Sequence, residues 1–431
     1  MSVLQIEGLH ELEGKIKIQG SKNGVLPVMA ASLLHKGTTV LRHVPKIQDV
    51  FCMMGILHSL GCPCWMEEDS LLIQAKTIER TQIPDALAGK MRSSVMLLGP
   101  LLARCGQAST SLPGGCRIGK RPVDLHLAGL EQLGARVQTE EDQILATVCE
   151  AGLCGAQIHL PYPSVGATEN ILMAAVGAKG ETILTGAARE PEIEILCSFF
   201  EQLGVKVRGA GTSRICIEGT KTFENPVFSL PGDRIVAGTY LGAVMHAGGQ
   251  VFLERAPAEH METTVEMARR MGARIECRKQ GIWVSMKERA KAASFQTGPY
   301  PEFPTDMQSV MMAVAAGADG ISRIRENVFE NRFSMAKELQ KLGAHIIIEN
   351  NLAQITGSAR LLGTTVVAED LRGGAALVVA CLGAEGESQV LGYEHISRGY
   401  EDISRDLSGV GARIELVSFQ SESSFGFPGK T

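Results

Sequence analysis

The sequence predicts an α/β fold made of one supersecondary unit repeated six times, and three observations carry the prediction. First, amphipathic stretches end in the same short word: Leu60-Gly61-Cys62, Leu133-Gly134-Ala135, Leu203-Gly204-Val205, Met271-Gly272-Ala273, Leu342-Gly343-Ala344 and Val410-Gly411-Ala412. These glycines recur about every 70 residues, a period that marks stacked or pseudo-symmetric repeats. Second, each unit carries a stretch that is apolar nearly all round, as in Val95-Met96-Leu97-Leu98 and Leu377-Val378-Val379-Ala380. A helix without a polar face has to be buried. Third, paired strand signals flank tight polar turns: Lys206 to Gly219 around Gly209-Ala210-Gly211, Arg274 to Met286 around Gln280-Gly281, and Ile346 to Thr356 around Asn350-Asn351.

Taken in order, each unit opens with a polar turn and a buried helix. These helices are expected to start near Asn23, Ser93, Ala167, Arg234, Met307 and Gly374. They are expected to end at Gly37, Gly106, Gly180, Gly249, Gly320 and Gly386, in the left-handed C-cap position. A short strand follows, such as Thr38-Thr39-Val40-Leu41 or Gln250-Val251-Phe252-Leu253, then the amphipathic helix, then two strands. The six units divide into two sets of three near Pro231-Gly232, a turn signal. The opening strand, Leu4 to Gln19, has no unit of its own and is expected to join the last one, which makes one domain discontinuous. The Ser-, Gly- and Pro-rich tail from Ser418 to Thr431 is expected to be disordered.

A chain of 431 residues exceeds one ordinary core. With 45% hydrophobic and 21% charged residues it reads as a soluble globular protein. A net charge of −5 argues against nucleic-acid and membrane-surface partners, so an anionic ligand has to meet a local cluster of Lys and Arg. No apolar run approaches the roughly 18 residues of a membrane span. The start, Met1-Ser2-Val3-Leu4-Gln5, has no basic and apolar leader pattern, and a cytoplasmic location is expected. The 11 scattered cysteines suit reduced, mostly buried thiols. Cys62-Pro63-Cys64 is too tight for a CxxC pair and has no second ligand pair near it. No metal and no cofactor are expected.

The candidate site lies at the starts of the buried helices. There stand Lys22 and Asn23; Lys90 and Arg92; Ser164, Gly166 and Thr168; Asp233 and Arg234; Thr305 and Asp306; Asp370 and Arg372. A helix N-terminus offers free N–H groups and about half a positive charge, so six of them facing one cleft would bind anions. Ser, Thr and Asp there also read as ordinary caps, whereas Arg and Lys do not favour that end. The loop from Ser111 to Arg121 nearly matches a P-loop through Gly114, Gly119 and Lys120, but Arg121 replaces the hydroxyl that would hold magnesium. The better reading makes Cys116 reactive, because Arg117, Lys120 and Arg121 would stabilise its thiolate. Asp306, set at a helix start by Tyr300-Pro301-Glu302-Phe303-Pro304, is a base or a plain N-cap. Arg332 and Arg398 follow short strands and, taken alone, read as surface residues.

At these residues the chain resembles the enolpyruvyl transferases that act on UDP-N-acetylglucosamine. The likeness runs from about Leu4 to about Glu415 and includes Gly20-Ser21-Lys22-Asn23, Met91-Arg92-Ser93-Ser94, Leu112-Pro113-Gly114-Gly115-Cys116 and Arg121-Pro122-Val123-Asp124-Leu125-His126. It continues through Ser164-Val165-Gly166-Ala167-Thr168, Ala188-Arg189-Glu190-Pro191-Glu192, Phe303-Pro304-Thr305-Asp306, Phe329-Glu330-Asn331-Arg332, Asp370-Leu371-Arg372 and Arg398-Gly399-Tyr400-Glu401. The resemblance implies two inverted α/β barrel domains of three βαβαββ-like repeats each, 22–230 and 1–21 with 231–431, with the site between them. It implies transfer of the enolpyruvyl group of phosphoenolpyruvate to the sugar 3-hydroxyl through a tetrahedral intermediate, opening peptidoglycan precursor synthesis.

It further implies that Cys116 is the general acid and the target of fosfomycin. Lys22, Arg92, Arg121 and Arg398 would hold phosphoenolpyruvate. Asp306 would face the 3-hydroxyl, with Asn23 and Thr305 at the sugar. Arg92, Arg121, Pro122, Val123, Asp124, Ser164, Val165, Gly166 and Val328 would meet the sugar nucleotide, and Arg332, Asp370 and Arg372 would line the cleft. Three places depart from the pattern: Ser397 before Arg398, Gly373-Gly374 after Arg372, and Tyr162-Pro163 before Ser164. A regulatory paralogue that only binds the sugar nucleotide is the alternative; its mark would be loss of Cys116, Lys22 or Asp306, and all three are present. Oligomeric state is not legible.

Overall fold

A computed structural model of the chain describes residues 2–89, 91–112, 119, 122–140 and 142–418; of Arg92 it describes the backbone alone. Cys116, Arg121 and all of the tail but Ser418 therefore lie outside the described residues. The fold is α/β, and the described residues form six small sheets and six buried helices. The buried helices are α1 (Lys22–Ala31), α2 (Leu98–Cys105), α3 (Val165–Val176), α4 (Arg234–Ala247), α5 (Thr305–Gly317) and α6 (Leu371–Leu382). They begin within a few residues of the expected starts, except that a 3-10 turn, Arg92–Leu97, precedes α2. Pro100 explains this, because it has no N–H for the Met96 carbonyl and the α ladder cannot extend back through that turn.

The glycines expected at the ends of the buried helices behave differently. Only Gly106 is itself a left-handed C-cap, with φ 75°. Gly37 has no positive φ, and Gly180, Gly249, Gly320 and Gly386 lie beyond the helix ends, where their positive φ turns the chain into the next strand. Behind the amphipathic helices stand Gly61, Gly134, Gly204, Gly272 and Gly343, each directly after its C-cap residue, and Gly411, two residues after the C-cap Gly409, all left-handed with φ from 84° to 109°. Each follows an apolar residue that is itself buried, so the recurring word is a helix stop joined to a core contact.

Five sheets have four strands in the same arrangement: a parallel strand at one edge, then an antiparallel run of three. In the second unit the parallel strand shrinks to a single bridge, Gln82 to Ser109. The opening segment is two strands, not one. β1 (Ser2–Glu7) lies between Glu387–Leu391 and Arg413–Ser418 in the last sheet, whereas β2 (Leu12–Lys17) runs parallel to Gly249–Glu254 in the fourth. Buried apolar side chains form two clusters. One runs from Val25 to Leu230; the other joins Leu4–Ile18 to Ile235–Ile414. Among the described residues no helix is long and apolar enough to cross a membrane.

Candidate active site

All six units send residues at or just before their buried helices to one cleft of about 810 Å³ that lies between the two cores. Side-chain caps fix four of these starts: Ser21 accepts from the Gly24 N–H, Ser164 from Ala167, Asp233 from Ile235 and Val236, and Asp370 from Arg372 and Gly373. Pro27 lies inside α1 and leaves the Asn23 carbonyl without its helical donor at the cleft wall.

Two opposed-charge clusters face this space. In the first, Asp49 binds the Lys22 ammonium at 2.9 Å and the Arg398 guanidinium at 2.9 and 3.3 Å. Burial, joined by the nearby Arg372 and Arg398 charges, pulls the Lys22 pKa down, and Asp49 only partly offsets this. Burial opposes ionisation of Asp49, but Lys22 and Arg398 outweigh it and hold the carboxyl below its ordinary value. In the second cluster, Asp306 takes Arg332 on one oxygen at 2.6 Å and Arg372 on the other at 2.8 Å. Burial is again overcome, first by Arg372 and then by Arg332, and the carboxyl lies far below the usual carboxylate range. Arg332 and Arg372 are only 4% and 5% exposed, so neither is a surface residue. Thr305 donates to Glu326 at 3.1 Å, and Glu326 also accepts from the Val328 and Phe329 N–H groups, which shapes the loop beside Asp306.

The structure brings most of the sequence-derived candidates together. Lys22, Asn23, Thr305, Asp306, Arg332 and Arg398 line the cleft, as do Asp370 and Arg372. So do Pro122, Val123, Asp124, Ser164, Val165, Gly166 and Val328. Gly119, at the far end of the cysteine loop, is packed so closely on Glu330 that an added Cβ would lie 2.0 Å from its Oε2. Sequence reasoning missed Asp49, Glu326 and Glu169, and it quoted Glu190 and Glu192 of the cleft wall within a motif without giving them a role. Arg234 binds Glu192 through two donors at 3.0 and 3.1 Å. A buried acid paired with a helix-start Arg was the available signal, but the pairing is long-range. Among the described residues no group of three or more His, Cys, Asp or Glu could hold a metal ion. Cations fixed in place around a cleft can stabilise developing negative charge without reorganising during reaction.

Comparison with known proteins places this geometry. The family model for EPSP synthase (3-phosphoshikimate 1-carboxyvinyltransferase) matches residues 6–407. UDP-N-acetylglucosamine 1-carboxyvinyltransferase 2 of Caldanaerobacter subterraneus subsp. tengcongensis is 42% identical over 418 residues, covering 97% of this chain and 100% of that one. UDP-N-acetylglucosamine 1-carboxyvinyltransferase of Methylacidiphilum infernorum is 45% identical over 416 residues, covering 96% and 98%. The crystal structure of the enolpyruvyl transferase NikO from Streptomyces tendae has the same fold, with TM-score 0.86 at 22% identity over 97% of this chain and 99% of that one.

Proposed function

The chain belongs to the UDP-N-acetylglucosamine 1-carboxyvinyltransferase family, and on that premise we propose that it moves the enolpyruvyl group of phosphoenolpyruvate to the 3-hydroxyl of UDP-N-acetylglucosamine, the first committed step of peptidoglycan precursor synthesis. The observation that carries this reading is the pair of charge clusters, Lys22–Asp49–Arg398 and Arg332–Asp306–Arg372, facing one cleft between two cores. In the addition step the hydroxyl oxygen bonds to C2 of phosphoenolpyruvate, C3 gains a proton and the hydroxyl loses one. In the elimination step C3 gives up a proton and the C2–phosphate bond breaks.

In this reading Lys22 and Arg398, with Arg92 and Arg121, hold the phosphate and carboxylate, and Cys116 supplies the proton to C3. Asp306, with Asn23 and Thr305, orients the hydroxyl. Because two guanidinium groups hold its carboxyl so far down, Asp306 acts first as a hydrogen-bond acceptor, and the proton leaves only as the C–O bond forms. Pro122 to Asp124, Ser164 to Gly166 and Val328 take the nucleotide side, and Asp370, Arg372 and Arg332 frame the hydroxyl. We assign residues 22–230 to one domain and 1–21 with 231–431 to the other. We place the enzyme in the cytoplasm, where free cysteines such as Cys197 and Cys381 stay reduced.

The test is phosphate release from phosphoenolpyruvate by the purified protein, with and without UDP-N-acetylglucosamine. Release that requires the sugar nucleotide, stops on fosfomycin treatment and is lost in Cys116→Ser is expected. Binding of the sugar nucleotide without any phosphate release would overturn the assignment.

A further inference from the structure

Glu169 is the fifth residue of α3, and its side chain lines the cleft although the residue is only 4% exposed. No described residue hydrogen-bonds its carboxyl. Glu190 and Glu192, at the head of the helix Pro191–Gln202, lie close enough to repel a charge on it. The cation beside this trio is Arg234, and the two donors it offers there both go to Glu192. Glu190 gives one oxygen to the Tyr300 N–H at 3.3 Å, and its other oxygen is buried without a partner. Among the other ionisable neighbours, Tyr162 faces Glu190, Asp306 and Tyr300 face Arg234, and His126 packs on α3 beside Gly166 and Asn170. Arg234 is thus committed to Glu192, and Glu169 is left beside two other carboxyls at a buried edge of the cleft. A buried carboxylate without a partner, beside two others, takes a proton instead of a charge. Burial first, then Glu192 and Glu190, push the Glu169 pKa well above its ordinary value, and burial raises Glu190 as well.

We propose that Glu169 serves the cleft as a neutral carboxylic acid that donates a hydrogen bond to an uncharged oxygen of the sugar nucleotide. The inference rests on the function proposed above. Its chemical logic is that the cation clusters already serve the anionic parts of both substrates. An ionised Glu169 would add negative charge to a cleft that has to admit two polyanions. The neutral acid removes that charge and offers a donor to the hydroxyl and acetamido oxygens, which guanidinium groups do not need to serve.

The experiment follows KM for UDP-N-acetylglucosamine by phosphate release from neutral pH into the alkaline range, for the wild type, E169A and E169Q. At neutral pH, E169A should raise KM about tenfold, the loss of one hydrogen bond, and E169Q less, because the amide keeps a donor. Past the ionisation of Glu169 the wild-type KM should climb by up to about tenfold per pH unit, and this rise should be absent in E169Q. A merely structural role would leave the two pH profiles parallel, and that result would overturn the proposal. So would an E169Q protein that fails to fold, since an amide matches the neutral acid in shape. Infrared spectra give an independent reading: a carboxylic-acid carbonyl band present at neutral pH in the wild type should be missing in E169Q, and identical spectra would sink the idea. If the wild type releases no phosphate, the proposed function fails. The infrared difference, with calorimetric binding of UDP-N-acetylglucosamine, still decides Glu169.

Discussion

Asp306 shows how one side chain serves two purposes at once. Its oxygens neutralise Arg332 and Arg372, which are almost fully buried, and the same carboxylate edge faces the cleft. Removing it strands two cations, a loss of about 3 kcal/mol or more for a buried pair. Asp306→Ala should therefore lower the midpoint of thermal unfolding and cut turnover by about a hundredfold, while the calorimetric affinity for UDP stays within about threefold. Equal losses in turnover and UDP affinity would mean that the residue is only a structural cap. Its depressed pKa also sets a sign: the stability it contributes is fully present above the ordinary carboxylate value, and it is lost as pH falls from there toward the folded-state pKa. Lys22 and Arg372 were legible in the sequence because basic residues are out of place at a helix N-terminus. Asp49 was not, since an acid in a first turn is commonplace. Arg332 and Arg398 looked like surface residues, because the carboxylates that bury or fix them, Asp306 and Asp49, are distant in sequence.

At the scale of elements, the repeat was legible because helix stops have chemistry. A left-handed position favours Gly, and an apolar neighbour marks the core, so each amphipathic helix announced its own end. The opening strand was expected in the last unit, and β1 lies there, but the destination of β2 in the fourth was not legible, because it carries no local mark of its partner sheet. The same holds for the two crossings between the cores, where Ser21 N–H donates to the Pro231 carbonyl at 3.0 Å and Asp233 N–H to the Gln19 carbonyl at 2.9 Å. Gly20 and Gly232 form a bridge there. A Cβ on Gly20 would stand 1.8 Å from the His43 carbonyl, and one on Gly232 would stand 2.2 Å from that of Arg255. His43 and Arg255 are themselves left-handed, and Arg255 donates to His43 Nδ1 at 2.9 Å. Backbone on backbone cannot yield as a flexible side chain does. Gly20→Ala should destabilise the protein by about 2 kcal/mol or more. Gly55→Ala is the contrast: its Cβ would meet only Leu87 methyls at 3.8 and 3.9 Å inside a helix, and the exchange should stabilise by up to about 1 kcal/mol. Urea midpoints that move in the same direction would show that these contacts do not govern stability.

The whole molecule has a cleft end and a far end, and the far end places a histidine in each core. In the second core α4, α5 and α6 pack together, and the His246 ring fills the space where they finish. A Cβ on Gly317 would lie 2.4 Å from its Cε1, and one on Gly383 would lie 2.3 Å from its Cδ2, so no larger residue fits around it. Its Nε2 is buried without a partner. His35 occupies the corresponding place behind α1 in the first core, where burial also lowers its pKa, and Arg104 beside it already supplies the carbonyls of Leu33 and His35 with donors. Burial lowers the His246 pKa from 6.5 to about 4, so the folded protein holds this ring neutral while the unfolded chain protonates it. The stability tied to neutral His246 is complete above pH 6.5 and falls as pH drops toward about 4, by about 3 kcal/mol in all. Carboxylates add their own losses in this range, so the informative quantity is the difference from a variant that cannot titrate. His246→Gln should be less stable than the wild type at pH 7, because the ring packing is lost. Its unfolding free energy should then decline less steeply on acidification, and the two curves should converge toward pH 4. Parallel curves would mean that the ring takes up a proton inside the folded core, and that the three helix ends accept a charge where they now pack on a neutral ring.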